Sequence, residues 1–109
     1  MRRRLRIALF SHDSLGLGHI RRNRALAFAL ARHLPAITGY EVSGLLIAGS
    51  REAARFDLPA GWDWVILPGV TPAAGGYAPR ALASSMKGLS ALRAAAISAI
   101  LDQQRPDLF

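Results

Sequence analysis

"LRIALFSHDSLGLGHIRRNRALAFALARHLP", residues 5–35, is the stretch on which the fold of this chain turns. Residues 5–10 are apolar except for Arg6, and Ser11, His12 and Asp13 end the run, a pattern that predicts a short buried strand. Residues 12–18 hold Gly16 and Gly18 and predict a turn. Ile20, Leu26, Ala27, Leu30, Ala31 and Leu34 then recur at helical spacing, while Arg21, Arg32 and His33 fall off that face. Pro35 predicts the helix stop, because its ring removes an N–H and crowds the preceding turn. Strand, glycine turn and helix in that order are the opening of a β-α-β unit.

Working outward, residues 40–50 predict a second apolar strand, with Ser50 placed to cap a short helix over residues 51–56. Residues 62–68, "WDWVILP", predict a third strand, in which Trp62 and Trp64 share one face and pack into the core. These strands are apolar rather than alternating, so both sheet faces are expected to be covered and the strands to run parallel. Three prolines and three glycines in residues 68–79 predict a long irregular loop. Leu82, Met86, Leu89, Leu92, Ala96, Ile97 and Ile100 mark a long helix ending near Gln104, with Gly88 a weak point in its middle. "RPDLF", residues 105–109, predicts a helix stop followed by the start of another strand. The expected class is α/β, a partial Rossmann-like parallel sheet built as β-α-β-α-β-α, and the chain reads as a fragment of a larger unit.

The 109 residues suffice for one small domain, about half apolar and a fifth charged, as a folded α/β unit requires. A formal charge of +7 rests on thirteen arginines and one lysine, and seven of these fourteen basic residues lie within the first 24 positions. Guanidinium forks match phosphate and carboxylate oxygens, so the charge is compatible with an anionic partner near that end, although by itself it is explained as well by a coding bias toward arginine and a solubilising surface. The absence of cysteine excludes disulfides, thiolate catalysis and cysteine-based metal sites. No metal is expected either, since His12 and Asp13 have no obvious further ligands. The apolar run after the arginine-rich start is too short for a signal peptide, and the expected compartment is the cytoplasm.

Beyond the carboxyl ends of parallel strands lies the usual ligand crevice, and the loop after the first strand commonly contributes to it. Gly16 and Gly18 permit close backbone approach, and the helix opening near His19 offers N–H groups and a positive dipole end. Arg21 and Arg22 oppose that dipole, which is understandable if an anion binds there. Ser14, Gly16, Gly18, Arg21 and Arg22 are therefore candidates for holding a phosphate or diphosphate. Neither a P-loop Gly-Lys-Ser/Thr nor a well-spaced dinucleotide fingerprint is present, since Arg21 stands at the third glycine position.

The run "GLGHIRRNRALAFALARHL", residues 16–34, resembles the first loop and helix of GT-B fold glycosyltransferases, within them the MurG-like group, and most nearly the predicted glycosyltransferases that begin "SHDSLGLGH". "ILPGV", "GGYAPR" and "RPDLF" fall where that group has similar pieces. The resemblance implies that residues 1–109 are part of an N-terminal, acceptor-side domain, with the C-terminal donor-binding domain absent. It implies a transferase acting on a nucleotide-sugar and an acceptor hydroxyl, inverting and independent of metal or other cofactor, with His19 as the catalytic base. Gly76, Tyr77 and Arg80 would line an acceptor loop, the alternative being a plain surface loop with Tyr77 buried. The chain departs from the MurG-like pattern in carrying Ser14-Leu15-Gly16-Leu17-Gly18-His19 in place of a Gly-Gly-Thr-Gly-Gly-His turn, and Arg22 where a proline usually follows.

Alternatives come from other classes. Ser50-Arg51, just past the second strand, is where an NADP-dependent oxidoreductase holds a 2'-phosphate. A basic module touching an anionic membrane surface would use Arg2 to Arg6. Nucleic acid is not expected, because no aromatic and basic interleaving or helix-turn-helix pattern appears.

Overall fold

The computed structural model describes residues 3–12 and 17–109. Three parallel strands form the main sheet: β1 (Arg4–Ser11), β2 (Glu41–Ala48) and β3 (Trp62–Ile66), with β2 in the middle of the three. β1 and β2 run in register from Arg4 opposite Glu41 to Ser11 opposite Ala48, and β2 meets β3 from Gly44 opposite Trp62 to Ala48 opposite Ile66. The expected mixed α/β class and parallel sheet are present.

On the other edge of β1 the end of the chain adds a single parallel bridge, Ile7 to Leu108. The Ala8 amide donates to the Leu108 carbonyl at 2.9 Å, and the Asp107 amide to the Arg6 carbonyl at 2.7 Å. The Arg6 amide in turn donates to the Asp107 carboxylate at 2.9 Å. The spatial order is thus Leu108, β1, β2, β3, and the direction in which the sheet grows reverses at β1.

Helix α1 (Gly18–Thr38) covers one face of the sheet. Ile7, Ala27, Leu46 and Trp62 form the buried centre beneath it, with Leu9, Leu30, Leu34 and Trp64 packed around them. Gly44 makes this face possible: a Cβ there would lie 2.4 Å from the Trp62 ring, so only glycine leaves room for the indole. Both tryptophans face the core as expected, and the Trp64 indole N–H donates to the Phe56 carbonyl at 2.9 Å. Helix α2 (Met86–Gln104) takes the opposite face, where Leu45 meets Ala99 and Ile100 across a shallow groove. Ile20, Leu46, Ile47 and Leu89 are fully buried, each contributing about 1.5–3 kcal/mol relative to exposure.

Several expectations need correction. Pro35 does not end α1: it sits in the last turn, where one lost N–H is tolerable, and the Thr38 hydroxyl bonds the Leu34 carbonyl at 2.7 Å. Gly39, at φ 74°, closes the helix by donating to the Pro35 carbonyl. Leu26, placed by periodicity on the buried face, is 43% exposed, because the narrow contact with the sheet is taken by Ala27 and Leu30. The link between β2 and β3 carries only a 3-10 turn, Arg51–Arg55, in place of an α-helix, and the Ser50 hydroxyl does not cap it. It donates instead to Glu52 Oε2 at 2.9 Å.

The irregular loop expected over residues 68–79 is an antiparallel hairpin, β4 (Val70–Ala73) and β5 (Gly76–Pro79). Its two-residue turn ends on Gly75 at φ 81°, and a two-stranded ribbon tolerates Pro72 and Pro79 because no third strand requires their missing N–H groups. Helix α2 begins at Met86 rather than Leu82, since Ser85 caps it by accepting from the Gly88 amide at 3.0 Å. Gly88 therefore lies in the first turn, not mid-helix, and leaves Leu82 in the preceding segment at 42% exposure.

Candidate functional site

The strand reversal at β1 directs attention to its carboxyl end, because in open parallel sheets ligands sit where the strand order changes direction. His12 follows β1 immediately, and His19 is the second residue of α1. Both side chains are exposed, and their rings stack with centroids 5.3 Å apart and planes inclined by 26°. Phe10 continues the stack, its ring centroid 6.4 Å from that of His12. An aromatic shelf of three rings thus spans the gap between strand end and helix start.

The shelf has firm supports. Ile20, adjacent to His19, is completely buried and fixes the depth of the first turn. Asn23, one turn further along, donates its amide to the Phe10 carbonyl at 3.1 Å and to the Ser11 hydroxyl at 2.8 Å. Ser11 is itself buried, so these bonds staple α1 to β1 from inside the protein. Nothing in the sequence pattern separated Asn23 from a surface residue, although its i+4 spacing from His19 puts the two on one helical face.

The electrostatics of the helix opening are one-sided. No acidic residue lies in the first turn of α1, while Arg21 and Arg22 do. The Arg21 guanidinium lies 5.9 Å from the centroid of the Phe56 ring, and Arg24 flanks the same ring at 5.7 Å while pairing with the Asp57 carboxylate. Arg21 thus has an aromatic partner that offsets part of its unfavourable position against the helix dipole. Arg22 is exposed. Of the residues expected to hold a diphosphate, Gly18, Arg21 and Arg22 are gathered at the helix opening, whereas Ser14 and Gly16 lie outside the described residues, as does Asp13.

The expected acceptor-loop residues divide. Gly76 and Tyr77 lie on β5, and Tyr77 is 56% exposed, so the hairpin presents the ring to solvent rather than burying it. Arg80 turns back toward the sheet: its amide donates to the Gly69 carbonyl at 2.9 Å, and its guanidinium reaches Glu52 Oε2 at 3.5 Å. With Arg51 it lines a cleft of about 240 Å³ beyond the carboxyl ends of β2 and β3. The Glu52 carboxyl is held below its ordinary range, chiefly by the Ser50 hydroxyl bond, with a smaller contribution from the charge of Arg80.

Among the described residues no cluster of three or more histidine, aspartate or glutamate side chains is arranged to hold a metal ion. No helix among them is long and apolar enough to cross a membrane. Scans against family models, curated proteins and solved structures return no match to this chain.

Proposed function

We propose that this chain is the acceptor-side part of a nucleotide-sugar-dependent glycosyltransferase, with His19 as the general base. The observation that carries the reading is the coincidence of three features at one point: the reversal of strand order at β1, the stacked His12 and His19 rings, and the arginine-flanked opening of α1. The resemblance of residues 16–34 to GT-B enzymes supports the same assignment.

In this reading an imidazole nitrogen of His19 takes the proton from the acceptor hydroxyl as its oxygen bonds to the anomeric carbon. The bond from that carbon to the diphosphate oxygen breaks, the nucleotide diphosphate leaves with the electron pair, and the sugar centre inverts. Arg21 and Arg22 supply positive potential where the leaving charge develops. His12 is a positioning residue that keeps the His19 ring flat against the shelf. The acceptor in this reading is a hydroxyl-bearing molecule at the inner membrane surface, to which the exposed Arg3, Arg4 and Arg6 would add attraction for anionic lipid.

The test is a pair of titrations followed by the histidine ring resonances. Uridine diphosphate is expected to shift the His12 and His19 signals saturably, with His33 unmoved as the internal control. Saturation by NADPH alone would replace this reading with the oxidoreductase one, in which Arg51 behind β2 grips a 2'-phosphate. Saturation by neither removes both.

A further inference from the structure

A second constellation lies apart from the histidine shelf, at the exits of β2 and β3. Two glycines permit unusually close approach there. A Cβ on Gly69 would stand 2.5 Å from the Gly49 carbonyl oxygen, and a Cβ on Gly49 would stand 3.1 Å from a guanidinium nitrogen of Arg93. Arg93 reaches this position from α2, and its guanidinium donates to the Pro68 carbonyl at 3.2 Å. Among the described residues no carboxylate forms a salt bridge with it, and its partial burial disfavours the charged form.

The charges around the cleft do not balance. Arg51 and Arg80 line it, Arg93 stands behind Gly49, and the carboxylate engaged there is Glu52. That carboxylate already accepts from Ser50 at 2.9 Å and meets Arg80 only at 3.5 Å. Each guanidinium carries five N–H donors, so most of the donating capacity of Arg51 and Arg80 remains for a ligand. The cleft, at about 240 Å³, falls below the roughly 300–1,000 Å³ of sites that enclose a whole small molecule, which suits one charged group better than a nucleotide.

We infer that the cleft between the ends of β2 and β3 binds a small oxyanionic group, a phosphate monoester or a carboxylate, on the guanidinium forks of Arg51 and Arg80, with Arg93 adding positive potential from behind Gly49. Glu52 is the internal competitor: the entering oxyanion draws Arg80 away from it while Ser50 retains the carboxylate. The absence of a Cβ at Gly49 admits the Arg93 guanidinium, and its absence at Gly69 lets the two strand exits close up on each other. This site stands whether or not the histidine shelf serves an acceptor, since the two lie beyond different strands.

The experiment is an amide-resolved titration of the full chain with inorganic phosphate, and separately with acetate, at ionic strength held constant with sodium chloride. Saturable shifts of the Gly49 and Gly69 amides are expected, with phosphate alone marking a phosphate site and acetate alone a carboxylate site. Arg51→Gln/Arg80→Gln should weaken binding by about tenfold or more, as loss of two charge-assisted contacts implies, while Arg32→Gln on the exposed side of α1 leaves it unchanged. Absence of saturation with both anions overturns the proposal, as does full affinity in the double variant or equal weakening in Arg32→Gln. Should the double variant not fold, Arg80→Lys, which keeps the charge and removes the fork, takes its place, and the shifts of the unaltered protein decide the location. Because uridine diphosphate is read at His12 and His19 and phosphate at Gly49 and Gly69, failure of one site is visible separately from failure of the other.

Discussion

Replacing Gly44 by alanine tests the packing on which the α1 face rests. The backbone of Gly44 is ordinary extended strand, so glycine is there for space and not for a left-handed turn. The added methyl carbon would sit 2.4 Å from two carbons of the Trp62 ring, far inside van der Waals contact. Trp62 is 7% exposed and lies among Ile7, Ala27 and Leu46, so the ring has nowhere to retreat without displacing α1. Overpacking of this kind costs about 1–3 kcal/mol. Restricting the unfolded chain returns about 0.4–1 kcal/mol. The expected net loss is about 1–2 kcal/mol, which at a urea dependence of roughly 1.5 kcal/mol per molar lowers the unfolding midpoint by about 1 M. The second half of the test is Gly44→Ala/Trp62→Leu, where the smaller side chain makes room for the methyl group. The double variant should be more stable than the two single losses predict when added, with a coupling of at least about 0.5 kcal/mol. A midpoint unchanged in Gly44→Ala, or strict additivity in the double variant, would refute the steric argument.

Two further predictions concern the sites. Asn23→Ala removes two hydrogen bonds that tie α1 to the end of β1 and leaves the buried Ser11 hydroxyl without that donor, so stability should fall by about 1–3 kcal/mol in urea unfolding. The same variant should broaden the His19 ring signals, because the shelf loses its inner staple. Ser50→Ala removes the main cause of the lowered Glu52 pKa, so the Glu52 carboxyl should titrate at higher pH in carboxyl-detected NMR. The sign follows from linkage: a carboxylate depressed in the folded state stabilises it above the unfolded pKa, and that contribution is lost as pH falls through the folded value. Acid unfolding of Ser50→Ala should accordingly begin at higher pH than that of the unaltered protein, and an identical acid limb would show that the Ser50 bond does not matter.

Much of the architecture was legible because the decisive signals are local. Apolar runs bounded by polar residues located β1, β2 and β3, and the alternating side-chain direction along β3 put both tryptophans on one face. Signals that depend on partners were less legible. Pro35 is a helix breaker by propensity, yet Thr38 and Gly39 restore enough bonding to carry α1 one turn past it. Proline and glycine in residues 68–79 mark turns equally well in a loop and in a ribbon, and only strand pairing distinguishes the two. At the candidate site the glycine turn marked the helix opening near His19, and the expectation of a base there rested on the resemblance of residues 16–34. The part played by His12 was hidden, because its stacking partner lies seven positions away across a turn. Arg93 carries no sequence signal of its position, since its approach to Gly49 depends on how α2 crosses the sheet.

Both indoles belong to β3 and sit under α1, whereas α2 rests on the reverse side of the sheet near Leu45. Intrinsic fluorescence is consequently an eye that looks in one direction: it registers α1 lifting away and is blind to α2 doing so. Circular dichroism weighs both helices together, so any gap between the two melting curves measures how tightly the unseen layer is bound to the rest.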